Sequence, residues 1–487
     1  MKRRLVMTML TLSMALGACG KAAEPAADVT QEAEDAGTET AESDVTAEVG
    51  DTAEEVLPEE TTATEPETDG EAVTETDTEP IPYTGSGKAE NLTEGVGTIE
   101  APEAKITDAQ TGALSKASMD LFAQAVAQEG KDSNVLLSPM SIAIAFGMAE
   151  NGAAGETLAQ MEQVIDGGIA IDEMNPLLYD LSERFRTSKE VDWNVANSAW
   201  FKDDGMWQVK DSFAQKALSW YGADIWKAPF NDSTKEDINN WVSEQTKGMI
   251  PEIIDEIPDD AGMYLINAMA FEGEWLNEYE EDHITENRIF HNADGSTTEV
   301  TMLGSTERRY FTLGDGIGFV RDYKGGQYSF MGLLPEEGTD LNAYIASLAA
   351  SDADLAAAIR NCNHGDAIVA IPEFTEDYST EMSEMLTALG MDLAFDQEKA
   401  EFTEMMEPVN GSPYQVWINR VLHKTHIEVD RKGTRAAAVT AVEMARTNAA
   451  MPVEELPILI ILDRPFIYGI IDNETGLPVF LGCINNL

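Results

Sequence analysis

The clearest period-two alternation in the chain runs over residues 422–430, the pattern of a strand with one buried face. A glycine, Gly433, follows it, and then a tract of small and β-branched residues over 434–442. From Thr434, every second residue is Thr434, Ala436, Ala438, Thr440, Val442 and Met444. On a strand those residues share one face and none is charged, while Arg435 and Glu443 fall on the other. The alanine content suits a helix equally well, so the tract alone fits either state. Elsewhere a helical period covers 114–128, with Met119, Leu121, Phe122 and Val126 apolar. Residues 134–157 read as a short strand passing into a helix at Ser138-Pro139, because serine caps helix starts and proline is tolerated in the first turn. Ser141 then falls on the inward side with Ile144. Apolar runs at 195–201, 264–271, 367–371 and 458–462 are bounded by turn residues and read as strands. Helical stretches separate them, so the pattern predicts a mixed α+β fold.

The N-terminal part lacks this patterning. Lys2, Arg3 and Arg4 precede an apolar run over 5–16 and the sequence Leu16-Gly17-Ala18-Cys19. That is the layout of a signal peptide over 1–18. The run is shorter than the roughly 20 apolar residues of a membrane-spanning helix. Its end resembles a bacterial lipobox, which implies cleavage before Cys19 and lipid attachment to that residue. The expected address is therefore secretion across the cytoplasmic membrane and lipid anchoring at the bacterial cell surface. Residues 19–105 are rich in Ala, Thr, Glu, Asp and Pro, with Tyr83 as their lone aromatic. Such a segment buries too little surface to offset its ordering entropy, so an extended acidic tether is expected there. A folded domain is expected over 106–487.

Charge narrows the function. The 487 residues include 89 acidic and 31 basic side chains, a formal net charge of −58. Phosphate backbones are bound by clustered Lys and Arg, so nucleic acid is excluded as an unaided partner, and activation by a polyanion is disfavoured. Besides Cys19 there are two cysteines, Cys362 and Cys483, too few for a disulfide framework. Cys483 lies in an apolar run and is expected as a buried thiol; a Cys362–Cys483 bridge stays open.

Catalytic chemistry is poorly represented. The histidines are His283, His291, His364, His423 and His426, and none falls in H-E-x-x-H; no G-x-S-x-G or Walker loop is present. Cys362, His364 and Asp366 match no strong metal-ligand spacing and read as a polar loop. His423 and His426 are three apart on a strand, hence on opposite faces, and do not chelate one ion together. The expectation is a protein that is no enzyme, needs no metal or cofactor, and acts on an enzyme.

The segment from Asn134 to Thr157 resembles the opening helix region of the serpins, and the resemblance continues to the C-terminus. Asn197-Ser-Ala-Trp-Phe201 is similar to a central strand of their large sheet. Residues 238–250 (INNWVSEQTKGMI) resemble their "INxWVxxxTxGxI" helix and exit, and 265–275 (LINAMAFEGEW) their "LxNAxxFxGxW" strand. Leu333-Leu334-Pro335, Ile371-Pro372-Glu373-Phe374 and Arg464-Pro465-Phe466 follow in family order. The resemblance implies three β-sheets, about nine helices and an exposed reactive-centre loop.

It also implies a function: suicide inhibition of serine proteases, in which the cleaved loop inserts into the central sheet. Gly433, Thr434, Ala436, Ala437, Ala438 and Thr440 then form the hinge, whose inward positions are small. Arg435 stands where the family usually has an acid, but on the outward face. Counting from the hinge puts the bait bond at Arg446-Thr447 or Thr447-Asn448, with Met444 behind. Arginine before the bond favours a trypsin-like target; the alternatives suit elastase- or subtilisin-like enzymes. The family's shutter maps onto Ser138, Ser141, Asn267 and His423. Its breach maps onto Trp275, Glu373 and Arg431, with the usual charges exchanged between the last two. A monomer is expected. The competing reading is a non-inhibitory serpin serving as a surface binding module, against which the permissive hinge argues.

Overall fold

The computed structural model describes residues 89–102, 106–258, 261–411, 416–434 and 458–487. Those residues form nine α-helices and three sheets of seven, nine and two strands. The seven-stranded sheet has the spatial order Glu90–Asn91, Asp224–Ala228, Val191–Lys202, Met263–Glu274, Gly433–Thr434, Arg420–Val429, Phe374–Glu381. The nine-stranded sheet runs from the edge strand Ile458–Ile461 through Asn363–Pro372, Thr297–Leu313, Gly316–Asp322 and Tyr328–Leu334 to the hairpin Phe466–Asp472 and Pro478–Ile484, ending on Val135–Leu137. Ile284–His291 pairs off this path with Thr297–Leu313.

Between the two large sheets lies the helix Pro139–Glu150. All twelve of its residues are buried, which suits a helix that is apolar all round except at Ser141 and Glu150. Ser138 caps it: its side chain accepts from the Ser141 N–H, and Pro139 occupies the first turn. The Ser138 N–H donates to His423 in one sheet, while its hydroxyl donates to the Val479 carbonyl in the other at 2.8 Å. One capping residue thus ties both sheets to one helix start.

The strands expected at 195–201 and 264–271 extend at both ends, to Val191–Lys202 and Met263–Glu274, and they pair antiparallel along their length. The expected helix over 114–128 is Asp108–Glu129, started by a capping box of Thr107 and Gln110. Cys483 is fully buried, which pushes its thiol up to about 12, and neither it nor Cys362 is in a disulfide.

One boundary is corrected. Residues 89–102 were expected in the tether, yet Glu90–Asn91 pairs antiparallel with Asp224–Ala228 at the edge of the seven-stranded sheet. The Ile99 N–H donates to Ser219 Oγ at 3.0 Å, and Trp220 Nε1 donates to the Glu100 carbonyl at 3.0 Å. The physical reason is that an edge strand offers unpaired backbone groups that any extended segment can satisfy. Backbone pairing needs no hydrophobic pattern, so composition did not reveal it.

Candidate functional site

The seven-stranded sheet contains a fork. From Arg420↔Tyr264 to His426↔Ala270 the strands Arg420–Val429 and Met263–Glu274 pair directly and in parallel. Above that, Gly433–Thr434 lies between them. It pairs antiparallel with one strand through Gly433↔Glu274 and Thr434↔Gly273, and with the other through Val429↔Thr434. The chain climbs Arg420–Val429, turns at 430–432, and starts back down inside the fork. Asp430 fixes the turn, its carboxylate accepting from the N–H groups of Lys432 at 2.7 Å and Gly433 at 3.0 Å. Position 433 has to be glycine, because a Cβ there would lie 2.1 Å from the Gly273 carbonyl oxygen.

An aromatic stack closes the top of the fork. Trp275 is buried, its Nε1 donates to the Asp430 carbonyl at 2.9 Å, and its N–H donates to the Lys432 carbonyl at 2.9 Å. Its ring stacks on Tyr323 with centroids 4.7 Å apart and 9° between planes. Tyr323 in turn meets Thr434, hydroxyl to hydroxyl, at 2.6 Å. Arg321 lies 5.0 Å over the Trp275 ring and 4.0 Å over Tyr279, with Glu307 2.5 Å from its guanidinium. At the rim Arg431 Nε donates to Glu373 Oε1 at 3.2 Å, and this carboxylate raises the arginine's pKa. Both partners are partly exposed, so the pair contributes on the order of 0.2–1 kcal/mol.

Midway down the parallel pair, a polar row crosses three strands. Asn197, Asn267 and His423 are register partners. His423 Nε2 accepts from the Ser138 N–H at 3.1 Å, so the ring proton sits on Nδ1, which faces Asn267 Oδ1 at 2.6 Å. Asn267 Nδ2 donates to Ser141 Oγ at 2.5 Å, the Ser141 carbonyl at 3.0 Å and Asn197 Oδ1 at 2.6 Å. His423 is fully buried, and desolvation lowers its pKa to about 3, so it stays neutral through the physiological range. The His423–Asn267 hydrogen bond bridges the two strands that would have to part for another to enter.

The family model for serpins, described as serine protease inhibitors, matches residues 113–487. The chain belongs to the serpin family. It is 30% identical over 368 residues to iripin-8 of Ixodes ricinus, spanning 73% of this chain and 88% of the relative. Glia-derived nexin of Homo sapiens is 29% identical over 389 residues, 76% of this chain and 92% of that one. Among solved structures, native tengpin, a thermophilic serpin, superposes with a TM-score of 0.75 at 36% identity, covering 82% of this chain and all 100% of tengpin. Its latent state gives 0.66 at 34% identity, covering 79% and 100%. The mixed α+β serpin architecture is therefore established, and the family's description as inhibitors fits the expectation of a protein that acts on enzymes.

The serpin fold brings together the residues mapped to shutter and breach. Ser138, Ser141, Asn267 and His423 form one hydrogen-bonded cluster, and Trp275, Glu373 and Arg431 gather around the fork. Gly433 and Thr434 lie inside it. Ala436, Ala437, Ala438, Thr440, Arg446, Thr447, Asn448 and Cys19 lie outside the described residues. Asn197, Tyr323, Arg321 and Asp430 were missed by the sequence reading. For Asp430 the signal was available: Asp-Arg-Lys-Gly is an Asp-x-x-Gly turn. Tyr323 and Asn197 reach the site only through strand register, which no local pattern encodes.

Proposed function

We propose that this serpin inhibits serine-type endopeptidases by covalent suicide trapping. The target's serine oxygen attacks the carbonyl of the bait residue, the peptide bond breaks, and the new amino terminus leaves with the proton. The N-terminal part of the loop, still esterified to the enzyme, then enters the fork behind Thr434 as a new strand. Travel of about 12–14 residues at roughly 3.3 Å each carries the enzyme about 40–45 Å. The observation that carries this reading is a strand already begun at Gly433–Thr434 above a pair of strands still joined in parallel. An inserted strand would exchange one parallel ladder for two antiparallel ones, so the starting form is held by kinetics.

Arg446 before Thr447 makes a trypsin-like enzyme the favoured target, with Thr447-Asn448 as the next bond. Cys19 is read as the lipid attachment that holds a monomer at the cell surface. The deciding experiment mixes the full chain with trypsin and with elastase and resolves the products on an SDS gel. A complex that survives SDS supports inhibition; cleavage without complex assigns the chain to the non-inhibitory reading. Mass spectrometry of the released fragment locates the bond, and cleavage confined to sites outside 444–448 overturns the bait assignment.

A further inference from the structure

Thr434 is the first residue of the tract with a side chain to bury, and it is fully enclosed. Its hydroxyl sits where a polar group is costly unless paired. Tyr323 supplies the pairing: it is fully buried, and among the described residues neither hydroxyl has another hydrogen-bond partner. The tyrosine has little freedom to move. Trp275 stacks on one face, and Phe271 meets the ring at 67° with centroids 4.9 Å apart. Strand pairing fixes its backbone as well, through a bridge to Trp275. Gly433 contributes backbone but no side chain, so this hydroxyl pair is the side-chain hydrogen bond seen on the inserted segment.

We propose that Tyr323 is a positioning residue for loop insertion, its hydroxyl holding Thr434 in the fork so that the strand is seeded before any protease arrives. The proposal rests on the inhibitory reading above and adds to it the residue that sets insertion against hydrolysis of the acyl-enzyme. Without the tyrosine hydroxyl, Thr434 enters only by burying an unpaired oxygen. The hinge then spends more time withdrawn, and insertion must first repeat a step the native molecule has already taken. Because only the seeded fraction proceeds, the insertion rate falls with that fraction, on the order of tenfold for one orphaned hydroxyl. Acylation at the bait bond does not use this contact and keeps its rate.

The test uses the full chain as wild type, Tyr323→Phe, Thr434→Val and the double variant. For each, the number of inhibitor molecules consumed per trypsin trapped and the association rate constant are measured. Hydrogen exchange is followed at the Gly433 and Thr434 amides. Tyr323→Phe is expected to raise the number consumed several-fold to tenfold, leave association within about twofold, and speed exchange at both amides. The double variant buries no unpaired hydroxyl and is expected to recover most of the loss. Wild-type consumption and exchange in Tyr323→Phe overturn the proposal. So does a loss that the double variant fails to repair, which would mark Tyr323 as merely structural. If wild type forms no SDS-stable complex, the inhibitory reading fails. The exchange comparison then still decides whether the hydroxyl pair holds the hinge, since it needs no protease.

Discussion

Replacing His423 with leucine keeps the buried volume nearly constant and removes both hydrogen bonds of the imidazole. The Ser138 N–H and Asn267 Oδ1 are then left buried without partners. At about 1–3 kcal/mol for each orphaned group the cost is about 2–6 kcal/mol, set against a typical total of about 5–15 kcal/mol. The starting form bears this cost selectively. A strand inserted between Arg420–Val429 and Met263–Glu274 separates His423 from Asn267 even in the wild type, so the inserted form loses less. If about 2 kcal/mol of the difference reaches the opening barrier, spontaneous conversion runs about 30-fold faster. Urea-gradient gels read both effects: a lower unfolding midpoint for the native band, and faster appearance of a urea-resistant band on storage. His426→Leu is the control. His426 sits three residues on, facing the other way and pairing with Asp377 at 2.8 Å, and its loss should change little. A second arm uses pH. His423 has a folded pKa lowered from 6.5 to about 3, so its stabilisation is present above about pH 6.5 and is lost as pH falls toward 3. Leucine has no such slope, so the advantage of wild type over His423→Leu should shrink as the medium is acidified. An unchanged urea midpoint together with an unchanged conversion half-life would refute the account of this row as a lock.

Three further outcomes are expected. Arg431→Glu sets two carboxylates against each other at the mouth of the fork and should hasten latency or polymerisation, with a change in stability of no more than about 1 kcal/mol. Adding Glu373→Lys should reverse it, and a double variant that polymerises as fast as the single one sinks the pairing. Thr434 faces inward, and on a strand continued from it Ala436 and Ala438 would share that face, so on the proposed inhibitory mechanism Ala436→Arg or Ala438→Arg would bury a charge at several kcal/mol on insertion and convert inhibitor to substrate; an undiminished yield of SDS-stable complex contradicts this. Glu150 and Asp166 are buried side by side at the ends of two helices, close enough to share a hydrogen bond when Glu150 is protonated, and among the described residues no other side chain or backbone group is bonded to their four oxygens. Burial, their mutual repulsion and nearby Glu162 raise the Glu150 pKa, and burial raises that of Asp166 to about 7; both charges also help hold the buried Tyr221 hydroxyl protonated. A raised folded pKa stabilises below the unfolded value and loses that stability as pH climbs, so this pair favours the fold near pH 4 and weakens it toward pH 7, opposite in sign to His423. Glu150→Gln should outperform wild type at pH 8 and show no advantage at pH 4 in thermal melts.

The sequence by itself determined what depends on local pattern and on residue type. The Ser138-Pro139 helix start, the alternation of the strand ending at Asp430 and the small inward positions from Thr434 are properties of short stretches, and motif order extended them to a family. Ser138, Ser141, Asn267 and His423 were legible as one cluster only through the family resemblance, and their polar types are compatible with a buried hydrogen-bonded group. Tertiary structure decided the rest. The composition of the alanine-rich tract fits helix or strand, whereas Gly433–Thr434 at its start is paired on both sides, with Arg420–Val429 just before it and with Met263–Glu274 far away in sequence. The docking of Glu90–Asn91 depends on a free sheet edge rather than on composition. The meeting of Tyr323 with Thr434, 111 residues apart, follows from strand register and the turn at Asp430. Register is a cooperative property of the whole sheet, and no single segment carries it.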